Sequence, residues 1–176
     1  MSFLFSVFSF AVFFGALVFL VSSFSVFGRP LESGVSLAET DVFRLVKEFK
    51  FKKFVGAIFV TVRGNHGFEE GALFIDAGVP VACVFEYYAF SRKFFGKEAF
   101  ARFANACAAQ NGVVDVFEAA SGEVHSFLAD NHEALYSPRE AEFVKPLKRS
   151  FAFEEELRGT ATQKQSILKR IGFKGI

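Results

Sequence analysis

Residues 3–27, "FLFSVFSFAVFFGALVFLVSSFSVF", contain neither a charged side chain nor a proline. No other stretch limits the chain's options so sharply. A bilayer core of about 30 Å takes roughly 20 apolar residues in a helix, and this run is long enough. Seventeen of its residues are Phe, Leu or Val. At roughly −0.3 to −0.6 kcal/mol each near the bilayer centre, they outweigh the five serines. Serine hydroxyls bonded back to helix carbonyls lower that cost further. The segment is therefore expected to be an uncleaved, single-pass membrane anchor.

A cleaved signal is the main rival reading. Such signals open on basic residues and run roughly 7–15 apolar positions. Here only Met1 and Ser2 precede the run, and "SSFSVFGRP" makes a poor cleavage site. A buried core helix is a further rival. So is a misassigned start codon, because a complete domain is expected to begin near Gly28. Arg29, Arg44, Lys47, Lys50, Lys52 and Lys53 follow the run, so the basic bias puts the remainder on the cytoplasmic side. Glu32, Glu39 and Asp41 dilute that bias.

All the charge of the chain lies beyond the run: 20 basic and 19 acidic residues, net +1. Nucleic-acid binders carry a basic surplus, so nucleic acid is not an expected partner. The chain has no tryptophan and three tyrosines, which leaves its 28 phenylalanines to build the core. Cys83 and Cys107 form no CxxC pattern and read as reduced, buried small hydrophobes. Three histidines without paired spacing make a metal site improbable, and no cofactor is expected.

The patterns predict an α+β fold: an antiparallel β-meander with helices packed against it, preceded by one transmembrane helix. The expected divisions are the anchor at 3–27, a linker at 28–39, an α+β domain at 40–136 and a helical extension at 137–176. "GRPLESGV" reads as the linker. Thr40 is an N-cap candidate, and Val42, Leu45, Val46 and Phe49 recur at helical spacing. Strands are expected over 55–62, 71–76 and 79–87, with Gly78 taking positive φ in a tight turn. A helix is expected over 95–112, closed by Gly112, then a strand over 113–119 and a short helix in "SGEVHSFLADN". "SPRE" reads as a capping box opening a two-turn helix, and Ile167, Leu168 and Ile171 suggest another near the end.

Two stretches concentrate polar chemistry. "RGNHGFEEG" places His66, Glu69 and Glu70 together, yet a single histidine on a glycine-flanked turn lacks the fixed geometry of a zinc-protease helix. "FEYYAFSRKFFG" holds Glu86, Tyr87, Tyr88, Phe90, Arg92 and Lys93. It reads as a strand end running into a loop, or as an aromatic and basic surface for a partner or lipid headgroups. No phosphate-loop or nucleophile-elbow motif occurs, so the chain is not expected to be an enzyme.

"FVGAIFVTV", "GFEEGALFIDAGVPVACVFEYYAF", "GKEAFARFANACAAQNGVVDVFEAA" and "LADNHEAL" follow one another in the manner of an archaeal family, domain of unknown function 2226. The chain resembles that family over roughly residues 30 to 137. It is also distantly similar to the PATAN-type domains of bacterial signalling proteins. The shared pattern falls on Gly56, Glu70, Gly71, Gly78, Glu86, Tyr87, Gly96, Ala99 and Gly112. The resemblance implies a protein-interaction module and supplies no catalytic residue.

The expectation is a membrane-anchored, non-catalytic interaction or signalling module. Its partners are membrane lipid through residues 3–27 and a protein of unknown identity, with pairing between copies where phenylalanines stay exposed on a strand. A small-ligand or metal sensor using His66, Glu69, Glu70, Glu86 and Tyr87 is the second reading, and an unrecognised enzyme the third.

Overall fold

A computed structural model describes residues 28–144 and 146–160, which build an α+β fold on a six-stranded antiparallel sheet. The expected anchor at 3–27 and the tail helix around Ile167 lie outside the described residues. Among the described residues, no helix is long and apolar enough to cross a membrane.

The elements are β1 (Arg29–Ser36), α1 (Val42–Lys52), β2 (Gly56–Arg63), β3 (Phe68–Asp76), β4 (Val79–Tyr87), β5 (Arg92–Phe95), α2 (Gly96–Ala106), β6 (Gly112–Glu118) and α3 (Ser121–Asp130). A last helix, α4, occupies 152–160. The strands lie in the order β1-β6-β2-β3-β4-β5. Strands β2 to β5 are the meander, and β6 returns to pair with β2, giving β1 an edge to join.

Local chemistry explains the boundaries. Asp41 caps α1 by accepting from the amides of Phe43 and Arg44, both at 3.1 Å. Thr40, the expected cap, instead donates its hydroxyl to the Ser36 carbonyl. Lys50 and Lys52 occupy the last turn of α1, where cations suit the helix dipole. Ala77 and Gly78, with φ of 48° and 82°, make the two-residue turn between β3 and β4. Gly78 also approaches α1 closely: a Cβ there would lie 2.8 Å from the Lys50 Cα and the Phe49 carbonyl oxygen.

Both faces of the sheet are covered. On the first, Ile58, Val60, Leu73, Ile75, Phe85 and Val114 pack against Val46 and Phe49 of α1 and Phe103 of α2. On the second, Ala57, Phe59, Ala72, Phe74 and Val84 pack against Val124 and Phe127 of α3, with the Phe74 and Phe127 rings stacked at 4.3 Å. The apolar run Val81–Phe85 is read as a covered central segment, and the alternation across these two cores is its physical basis. Phe103 is wholly buried, which stabilises by about 1.5–3 kcal/mol. Cys83 and Cys107 are free and buried.

Several expectations need correcting. The stretch 28–39, expected as a linker, contains β1, an exposed edge strand whose Pro30 and Glu32 sit at irregularities in its register. Arg92–Phe95, read as loop, is β5. Gly112 does not close α2 but opens β6, packed so tightly that a Cβ would lie 2.7 Å from the Thr61 carbonyl oxygen. The "SPRE" helix shrinks to a single 3-10 turn at Glu140–Glu142.

The sheet has two ends. The proximal end holds Gly28, the α1–β2 connection and the β3–β4 hairpin. The distal end, about 25 Å away along β2, holds the 64–67 turn and the segment from Tyr87 to Arg92.

Glycine positions test this packing. A Cβ on Gly71 would lie 2.8 Å from the rings of Phe103 and Phe85, whereas one on Gly122 would meet open space. Gly71→Ala is expected to cost about 1–3 kcal/mol in urea unfolding. Gly122→Ala is expected to leave stability unchanged or raise it by up to about 1 kcal/mol.

Candidate functional site

Glu69 and Glu70 are neighbours in sequence and strangers in space. Successive residues of a strand face opposite sides. Glu69 lies opposite Val62 and Tyr87 on the face covered by α1 and α2. Glu70 lies opposite Thr61 and Glu86 on the other face. The nine residues expected to form one surface therefore divide into groups separated by the sheet.

The first group centres on a cation that the motif reading missed. Arg149 places Nη2 2.5 Å from Glu69 Oε1 and 3.3 Å from Glu154 Oε1, and donates Nη1 to the Arg63 carbonyl at 2.9 Å. Glu154 in turn accepts from the backbone amides of Asn65 and His66, at 2.8 and 3.2 Å. Arg149, Glu69 and Glu154 are all buried. Asn105 of α2 holds Ser150 through two hydrogen bonds, 2.8 and 2.7 Å long. The guanidinium of Arg102 lies 3.6 Å above the Phe94 ring, with Phe153 on its other contact. Arg149, Glu154 and Leu157 are buried against the rest of the fold.

Two carboxyls share one guanidinium here. Burial, aided by a carboxyl–carboxyl hydrogen bond to Glu154, pushes Glu69 up to about 8, and Arg149 only partly offsets this. Burial likewise raises the Tyr87 hydroxyl.

The second group lies across β6, β2, β3 and β4 on the opposite face. Burial first, then the charges of Asp115 and Glu86, pushes Glu70 up to about 7, against the opposing hydrogen bond that Tyr88 donates at 3.1 Å. Asp115 accepts from the Ser33 hydroxyl at 2.6 Å and the Gly34 amide at 2.8 Å, which ties the edge strand β1 to β6. Glu86 pairs with Lys93 at 3.4 Å.

The remaining members stay at the distal rim. The His66 ring is exposed and meets the half-buried Phe90 edge-on at 5.5 Å, and Arg92 is exposed. The depression bounded by His66, Phe68, Glu69, Tyr87, Phe90 and Glu154 has no room for a water molecule. A groove of about 230 Å³ lies elsewhere, between α1 and the start of β4, lined by Val46, Lys47, Lys50, Val79, Pro80 and Phe143 among others. Neither Glu69 nor Glu70 lines that groove. Among the described residues, no three His, Cys, Asp or Glu side chains are grouped to hold a metal ion.

The Asp115 contact had a sequence signal: a carboxylate at an inward position of the apolar strand "VVDVF" must find a donor. Arg149 and Glu154 had none, because nothing local pairs them with a strand 80 residues earlier.

The family described as an uncharacterized protein conserved in archaea, domain of unknown function 2226, matches residues 26–131. The chain belongs to that family. No curated protein and no solved structure matches it.

The buried clusters carry two testable consequences. Arg149→Ala strands two carboxyls in the core and is expected to cost about 3–5 kcal/mol in denaturant titration. The proton on Glu69 is held more tightly in the folded state than in the unfolded chain, where the ordinary value is 4.5. Its stabilising contribution is complete below that value and is lost as pH rises through about 8. Glu70 acts with the same sign up to about 7. Unfolding free energy measured across this range is expected to fall with rising pH, and Glu69→Gln to flatten the fall.

Proposed function

We propose that this protein is a membrane-anchored, non-catalytic interaction module that presents its distal end to a protein partner. The observation that carries the reading is the composition of that end. Phe68 and Phe151, 41% and 40% exposed, stand with His66, Phe90 and Arg92 around a closed, buried Arg149 network. Aromatic residues and arginine are enriched where proteins meet. The rigid clamp beneath fixes the 64–67 turn before any partner arrives, which limits the ordering cost of binding.

Three further points support it. The uncharged run at 3–27 has the length and composition of a bilayer span. The depression beside Glu69 and Glu154 has no substrate-sized space. The resemblance to PATAN-type signalling domains points the same way. A second reading, small-ligand sensing, draws on the groove between α1 and β4, which contains none of the nine expected residues.

A photo-crosslinking amino acid placed at Phe68 in the full chain tests the proposal in cells. The expected result is a discrete adduct of constant mass, absent when the crosslinker replaces exposed Ser126 and lost in the Arg92→Glu background. Identical labelling at both positions would contradict it. A melting-temperature rise with a nucleotide or metabolite, abolished by Val79→Phe at the exposed rim of the groove, would favour the second reading.

A further inference from the structure

We propose that the proximal end of the domain rests on an anionic lipid surface, with Phe51 seated at the headgroup level and Lys50, Lys52 and Lys53 around it. This rests on the reading of residues 3–27 as the anchor and adds which face of the domain the bilayer meets.

The topology makes the first argument. Gly28 is the residue after the apolar run, and a Cβ on it would lie 1.9 Å from the Glu118 carbonyl oxygen at the end of β6. Strand β1 begins at Arg29, so one residue separates the run from the sheet. One residue of chain reaches about 3.5 Å. A span ending at residue 27 therefore holds the proximal end against the membrane.

The same end carries an unusual surface. Helix α1 turns Val46 and Phe49 into the core, and its last turn sets Phe51 outward, 88% exposed. The β3–β4 hairpin packs beside that turn, with the Gly78 amide donating to the Phe54 carbonyl at 2.7 Å, so the turn is fixed at the proximal end. Phe51 stands within the sequence "KFKK", and Lys52 and Lys53 make no ion pair among the described residues. The nearby acids are largely engaged: Glu118 by Arg29 at 2.7 Å, and Asp76 by His125 at 3.0 Å and Ser121 at 2.9 Å. Glu140 lies 4.0 Å from Lys50. An exposed aromatic ring in a run of lysines suits the boundary between hydrocarbon and anionic headgroups. The aromatic and basic residues of the "FEYYAFSRK" stretch lie at the opposite end, where a span leaving from Gly28 keeps them from lipid.

The test uses the full chain in liposomes. Phe51→Cys and, as the distal reference, Asn65→Cys are each labelled with a fluorophore. The native Cys83 and Cys107 are buried and spared. Quenching by a headgroup-attached nitroxide is then read in vesicles of zwitterionic phospholipid, with and without phosphatidylserine. The expected result is flotation with the vesicles and quenching at position 51 severalfold above that at position 65, rising with phosphatidylserine. Each lysine near an anionic surface contributes about fivefold, so Lys52→Glu with Lys53→Glu should weaken the contact by more than tenfold. Flotation with equal quenching at both positions would overturn the surface and leave the anchor standing. Quenching indifferent to phosphatidylserine would overturn the charge-driven contact. Failure to float would overturn the anchor, and this inference with it.

Discussion

A sheet covered on both faces can bear few charges, and every one it bears must be compensated. That constraint organises this molecule. Strands β2, β3 and β4 are apolar on both sides along most of their length, because α1 and α2 take one face and α3 the other. Where β3 carries Glu69 and Glu70, the chain supplies a separate solution on each face. On one it brings back Arg149 from far along the sequence; on the other it keeps a proton near Glu70 and offers the Tyr88 hydroxyl. Removing such a partner costs more than the contact itself is worth, since the carboxyl stays behind in a poor solvent.

The compensation has architectural consequences. Because Arg149 and Glu154 close the first-face cluster, the segment that carries them is held against β3 and α2, and the 64–67 turn is fixed through its amides. Because Asp115 is satisfied by Ser33 and Gly34, the edge strand β1 is fixed to β6 midway along the sheet. The first-face cluster fixes the distal end, where the proposed partner meets the domain. Burial is the main cause of the raised carboxyls.

Much of the fold was legible from local pattern. Strand β4 has the bounds its β-branched and aromatic run suggests, and α1 follows from the spacing of Val42, Val46 and Phe49. Strand β1 was hidden because its residues are almost wholly exposed: an edge strand needs no alternating apolar face, and Gly, Pro and Ser read as linker. Strand β5 was hidden by its four-residue length. The site fared less well for one physical reason. Glu69 and Glu70 look like a pair along the chain, but the pleat sends them to opposite cores: Glu70 meets Tyr88 and Glu86 of the expected set, whereas Glu69 meets Arg149, 80 residues on.

The account depends most on what residues 3–27 do in the cell. Alkaline carbonate extraction of isolated membranes addresses this directly. High pH strips proteins held only at the membrane surface and leaves a bilayer span in place. Recovery of the full-length chain in the membrane pellet is the predicted result; release into the supernatant would contradict it.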